Sequence, residues 1–373
     1  MLFDKFQTMA DFQAELAERD VVPFGAVTEE ILSATEGVVE GKKVILAGTN
    51  NCMGLSFDSR CIATAQAAVA KWGTGTTGSR LANGSFAEHQ ALEEEIARFY
   101  GVGNAIVFST GYAATMGMCA TLAGPGDVIL LDADSHASIY SGVKLSDADI
   151  IRYKHNDPDD LAKRMRRLGD RAGQTLIIAE GIYSMLGDVA PLREIAEVKR
   201  EYGGYLLVDE AHSMGVLGDS GRGAAQAAGV EDDVDFTVGT FSKSLGSIGG
   251  FCVSRHSELE AIRFCIKAYI FTASSSPSVI ASTREALRII SQEPERRQRV
   301  WDNANRLYDG LKALELPVGP SASPVVAVEM LDRSRTIDCW KALMEAGVYV
   351  NLVIPPLALD QFPAAQQRQR SPQ

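Results

Sequence analysis

Between residues 105 and 253 the chain repeats one device: a short apolar run, a turn, then a segment with apolar side chains at helical spacing. The apolar runs fall at residues 105–108, 128–132, 150–153, 175–179, 205–208, 236–238 and 250–253. Helical patterns at 86–100, 111–122, 158–168 and 192–202 separate them. A strand as uniformly apolar as Val128-Ile-Leu-Leu131 must be buried on both faces, and strand–helix alternation supplies the helices that bury it. The pattern predicts an α/β fold: a mostly parallel seven-stranded sheet with helices on both faces. Phe6, Met9, Phe12 and Leu16 predict an amphipathic lead-in helix over 5–19, and long helices are predicted at 281–291 and 293–314, linking to a smaller α+β piece from near Val318. The expected division is an N-terminal segment (1–59), a large domain (60–280), an incomplete small C-terminal domain (281–356) and a tail (357–373). The tail has no strand or helix period and few core residues, and reads as disordered.

Charge and cysteine usage narrow the function classes. With 36 basic and 48 acidic residues the net charge is −12, a poor match to a nucleic-acid duplex. The densest basic run, 163–171, follows Asp157-Pro158-Asp159-Asp160; acids first and bases last are what a helix dipole favours, so the run reads as a helix end. The six cysteines are scattered without a Cys-x-x-Cys pair and read as reduced thiols. The five histidines form no His-Glu-x-x-His arrangement, so no metal site is expected. The N-terminus has no charged-then-apolar leader pattern, and no apolar run approaches a membrane span. The expected location is the cytoplasm.

Two motifs mislead. Gly73-Thr-Gly75-Thr-Thr-Gly78 spells a dinucleotide fingerprint but follows a helical segment instead of a strand. Asp209-Glu210-Ala211-His212 spells a helicase box, yet no phosphate loop of the Gly-x-x-x-x-Gly-Lys type accompanies it. Position is more informative than spelling. Asp209 and His212 follow one strand, and Thr240 and Lys243 follow another. His136 and Ser184 follow two more, and Gly111-Tyr112 opens a helix after a fifth. Open α/β sheets place their ligands at these strand ends, and a helix start suits a phosphate.

At this level of detail the chain resembles the α-oxoamine synthases, pyridoxal-phosphate (PLP) enzymes of the fold-type I, aspartate-aminotransferase-like class. The resembling blocks are Asn50-Asn51-Cys52-Met53-Gly54-Leu55, residues 73–80, Phe108-Ser-Thr-Gly-Tyr112 and Asp134-Ser135-His136-Ala-Ser138. They continue with Glu180-Gly-Ile-Tyr-Ser-Met185, Asp209-Glu-Ala-His212 and Gly239-Thr-Phe-Ser-Lys243, spread over residues 1–356. The wording Ser135-His136-Ala-Ser138-Ile-Tyr140, Ile182-Tyr-Ser-Met-Leu-Gly-Asp188 and Phe271-Thr-Ala-Ser274 points to the branch that condenses L-serine with palmitoyl-CoA.

The resemblance implies roles. Lys243 would hold the cofactor as a Schiff base and then carry the substrate proton, which needs an amine pKa below the usual ~10.4. Asp209 would pair with the pyridinium nitrogen. His136 would stack on the ring, with His212 and Ser184 around its 3-oxygen and the substrate. Gly111, Tyr112 and Thr240 would take the phosphate, with Thr272 reaching the neighbouring subunit's phosphate in a homodimer. Asn50 would contact the substrate carboxylate, alongside His136 and Ser184. The implied reaction is a decarboxylative condensation of L-serine with a long-chain acyl-CoA to 3-ketosphinganine. The alternatives are a sibling synthase using glycine or alanine, and a cofactor-binding paralogue without turnover. After Ile354-Pro355-Pro356 the family's carboxylate-binding arginine has no counterpart; Arg368 and Arg370 sit in the Gln-rich tail. A shift or early stop in the reading frame is the expected cause, and Arg80 the expected substitute cation.

Overall fold

The computed structural model describes residues 2–354 and forms two compact units. The strands in chain order are β1 (Thr28–Ile31), β2 (Glu36–Val39), β3 (Lys42–Leu46), β4 (Asn104–Phe108), β5 (Val128–Asp132) and β6 (Asp149–Tyr153). They continue with β7 (Thr175–Glu180), β8 (Tyr205–Asp209), β9 (Phe236–Thr240), β10 (Gly250–Ser254) and β11 (Val348–Tyr349).

The larger unit, Asn51–Ala327, holds a seven-stranded sheet of order β4-β10-β9-β8-β7-β5-β6. All seven expected strands form, most of them a residue or two longer than the apolar run. Every residue of β5 and β7 is buried, as strands covered on both faces require. Only β10 runs antiparallel, between β4 and β9. Its start therefore lies at the same sheet edge as the ends of its neighbours: Gly250 pairs with both Phe108 and Thr240. The basic run closes a helix, Pro158–Leu168, whose N-cap Asp157 accepts the Asp160 N–H at 2.8 Å.

The smaller unit combines the residues up to Asn50 with those from Val328 onward. Here β1, β2 and β3 form an antiparallel ribbon, and β11 adds to β3 in parallel, Val348 opposite Ile45. Phe12, Leu16, Val39, Val44, Ile337, Trp340 and Met344 share one core. This corrects the expected division at both ends. Residues 1–50 are not a separate segment, because their sheet is completed by β11. The long helices Pro277–Gln292 and Pro294–Ala313 belong to the larger unit, since Ile280, Leu287 and Ile290 share a core with Leu92 and Ile96. The expected tail and its arginines lie outside the described residues. No helix among the described residues is long and apolar enough to cross a membrane, and no cluster of metal-ligating side chains occurs among them.

Candidate active site

The parallel strands deliver their chemistry to one edge. Asp209 ends β8, paired with Glu180 on β7 and Val238 on β9. It is buried, and both its oxygens accept hydrogen bonds: Oδ2 from the Thr115 hydroxyl at 2.9 Å and Oδ1 from the Ala211 N–H at 3.0 Å. Thr115 lies on the helix Gly111–Thr121, so that helix supports the carboxylate as well as opening onto the site.

Lys243 follows β9 and is half-buried. Burial pushes its ammonium pKa down, opposed by the charges of Asp209 and Glu180. His136 and His212 are also lowered, His212 well below the ordinary histidine value; burial dominates in both, and the Lys243 charge adds to it. Both imidazoles are therefore neutral at pH 7. Burial and the adjacent Asp209 raise the Glu180 carboxyl well above its usual range, while its Oε1 accepts the His136 N–H at 2.5 Å. His136 is the N-cap of the helix Ala137–Lys144, its Nδ1 2.7 Å from the Ser138 hydroxyl.

The start of the helix Gly111–Thr121 forms an anion cradle. Thr110 Oγ1 accepts the Ala113 N–H at 3.0 Å, leaving the Gly111 and Tyr112 N–H groups without an intrahelical acceptor. A Cβ on Gly111 would lie 2.5 Å from Thr240 Cβ and 2.6 Å from its hydroxyl, so glycine is required for this approach. Thr240 Oγ1 donates to the Gly249 carbonyl at 3.0 Å and sits 2.8 Å from the Ser242 hydroxyl. The Tyr112 ring stands edge-on to His136, 6.5 Å between centroids.

Lys243, Asp209, His136, His212, Gly111, Tyr112 and Thr240 thus all belong to one edge of the large unit, and half-buried Ser184 lies in the loop that follows β7. Thr272 is half-buried in the same unit, around a small cavity shared with Arg80, His89 and Ser109. Asn50 is exposed and ends the N-terminal segment of the smaller unit. Arg80 is not available as a substitute cation. Its guanidinium forks onto Glu93 at 3.0 and 3.2 Å, and its Nε donates to Ser85.

Sequence reasoning missed three participants. Thr115 falls one helical turn beyond Gly111, a spacing that would have placed it on the same face. Glu180 was visible as a motif letter, but its bond to the His136 backbone joins two strand ends. Cys52 is solvent-accessible and feels the Lys243 charge, yet dense surroundings raise its thiol to about 11, keeping it protonated.

A buried acid, a depressed lysine, two neutral imidazoles and a glycine-lined helix start are the groups that a phosphorylated, nitrogen-containing aromatic cofactor requires, and the residues present fit one. Comparison with known proteins agrees. The chain is 58% identical over 362 residues to serine palmitoyltransferase of Caulobacter vibrioides, covering 97% of this chain and 90% of that one. A structure of serine palmitoyltransferase from S. paucimobilis with bound PLP–myriocin superposes with a TM-score of 0.92 at 45% identity, over 96% of this chain and 90% of that one. An 8-amino-7-oxononanoate synthase of Lysinibacillus sphaericus matches at 39% identity over 86% of this chain and 82% of its own. The aminotransferase class I and II model matches residues 42–361. The chain belongs to the aminotransferase class I and II family.

Proposed function

We propose that the chain is a PLP-dependent serine palmitoyltransferase, joining L-serine to a long-chain acyl-CoA with release of CO₂ and CoA to give 3-ketosphinganine. The observation that carries this reading is the half-buried, depressed Lys243 beside the buried Asp209, at the edge where Gly111 opens a helix. When bound, PLP supplies an electron sink for the bond broken at the amino-acid α-carbon.

The chain's own residues do the rest. Lys243 would anchor the cofactor through Nζ; freed from it, the same nitrogen would serve as a base, because burial favours its neutral form, taking the substrate α-proton and later returning one. Asp209, fixed by Thr115 and Ala211, would pair with the ring nitrogen. Neutral His136 would hold the ring, and neutral His212 and Ser184 would hold its oxygen and the substrate. The Gly111 and Tyr112 N–H groups would hold the phosphate, with the Thr240 hydroxyl turning from the Gly249 carbonyl to join them. The same reading makes the enzyme a cytoplasmic homodimer with Thr272 serving the neighbouring subunit's phosphate, and Asn50 a contact for the serine carboxylate.

The similarity to an oxononanoate synthase keeps alanine as a second amino acid worth assaying. Borohydride treatment of the PLP-loaded protein should fix the cofactor on the Lys243 peptide, and Lys243→Ala should abolish fixation. CoA release from palmitoyl-CoA should require L-serine. Fixation elsewhere, or faster release with glycine or alanine, would overturn the reading.

A further inference from the structure

Behind the site lies a cluster the mechanism leaves unused. His155, just beyond β6, places Nδ1 2.8 Å from Asp132 Oδ1 and Nε2 2.6 Å from Asp188 Oδ2. Its neighbour Asn156 makes the same span: the backbone N–H donates to Asp132 Oδ2 at 2.9 Å, and the side-chain amide donates to Asp188 Oδ2 at 2.7 Å. Asn156 adopts a left-handed backbone (φ +50°), a conformation that few non-glycine residues take up unless their surroundings hold them there.

The two carboxylates belong to the two segments that carry site residues. Asp132 ends β5, and its Oδ1 also accepts the Asp134 N–H at 2.9 Å, shaping the turn that delivers His136. Asp188 closes the 181–189 loop that carries Ser184; the Asp188 carbonyl accepts the Tyr183 N–H at 2.9 Å. The Tyr183 ring meets the His155 imidazole edge-on at 4.5 Å. Asp134 Oδ2 stands 4.0 Å from Nδ1. Burial disfavours a charged imidazole here, but the bonds to Asp132 and Asp188 outweigh it and raise His155 to about 10. The imidazole is thus a cation at neutral pH, held between two buried carboxyl groups. Without that cation, two carboxylates would face each other across the gap with like charge.

We propose that His155 is a positioning residue that locks the Ser184 loop against the His136 turn, setting the spacing of the two side chains between which cofactor and amino acid react. The proposal rests on the functional reading above. His155 touches neither cofactor nor substrate; it acts through Asp132 and Asp188. A glutamine at 155 can reach one carboxylate but cannot bridge both with charge.

The test compares wild type, His155→Gln, Asp188→Asn and the double variant, first without cofactor. Amide hydrogen exchange across 181–189 should accelerate in His155→Gln while the strands of the sheet stay protected. With PLP added, its affinity should stay close to that of wild type, because the phosphate cradle lies elsewhere. Turnover with L-serine and palmitoyl-CoA should drop about ten- to a hundredfold, the usual effect of a misplaced reacting group, with the loss in kcat. The absorbance change on adding L-serine should slow in parallel. The double variant should be no worse than His155→Gln, since Asp188→Asn removes the like charge facing Asp132 and keeps an oxygen for the Asn156 amide. Unchanged exchange in the loop, unchanged kcat with only a lower melting temperature, or unfolding of every variant would overturn the proposal. Failure of wild type to respond to L-serine would instead overturn the functional reading, and the exchange measurement would still judge the clamp.

Discussion

At the scale of single residues, the site works by removing charge from its bases and fixing one acid in place. Asp209 is held by Thr115 and Ala211: replacing it with Asn retains that geometry in part but loses the acid that would favour a protonated ring nitrogen. A charged hydrogen bond contributes ~1.5–3 kcal/mol. Asp209→Asn should therefore slow deuterium exchange at the serine α-carbon by roughly ten- to a hundredfold, measured by NMR, while some cofactor remains bound. Gly111 makes a second prediction. Forcing a methyl group against Thr240 costs about 1–3 kcal/mol of overpacking, so Gly111→Ala should weaken PLP binding by about ten- to a hundredfold in a titration of the cofactor-free protein. Arg80 supplies a contrast. It pairs with Glu93, which also accepts the Val107 N–H and a longer contact from Arg263 at 3.4 Å, so Arg80→Met takes the closer of two guanidinium partners from a buried carboxylate. The expected result is a loss of about 1.5–3 kcal/mol in chemical denaturation, with serine affinity little changed.

At the scale of elements, strand ends tie structure to chemistry, and this is why so much was legible. The seven apolar runs needed burial on both faces, which only a helix-covered parallel sheet provides, and their polar followers then had to share an edge. Asp209, Thr240 and Lys243 could be read that way. The pairing of Arg80 with Glu93 could not, because thirteen residues and a turn separate them. His155 also escaped notice: Lys154-His155-Asn156-Asp157 reads as an ordinary turn, and its two carboxylates arrive from other strands. The ribbon β1–β3 was invisible because Thr28–Ile31 is wholly exposed and has no apolar period. One helix start gives a pH test. Asp58 caps the helix Ser59–Trp72 and pairs with Arg60 and Arg296, and the Arg60 bond is the main cause that lowers its carboxyl to about 2. A depressed carboxyl stabilises the fold above its unfolded pKa of ~3.9, and that contribution fades as pH falls toward the folded value. Asp58→Asn keeps a competent cap, so its melting temperature should lie below wild type at pH 7, the gap closing as pH drops from 4 toward 2.

At the scale of the whole molecule, both compact units are continuous with the family's architecture, but only one is continuous in sequence. The smaller unit's core rests on Trp340, which is 5% exposed and donates from its indole to the Val350 carbonyl at 2.8 Å. Trp340→Ala should cost about 3–5 kcal/mol, read as an earlier transition in thermal unfolding.

The pairing of β3 with β11 also imposes an order on synthesis. Asn351 donates to the Gly48 carbonyl across 303 residues of chain, and Ile45 waits as long for Val348. At ~5–20 residues per second, the ribbon β1–β3 spends tens of seconds outside the ribosome with one edge unsatisfied. Every contact of the Asn51–Ala327 unit is available before β11 emerges. The first strands made are therefore the last to be finished, and the open β3 edge is the place where a nascent chain is most exposed to pairing with the wrong strand.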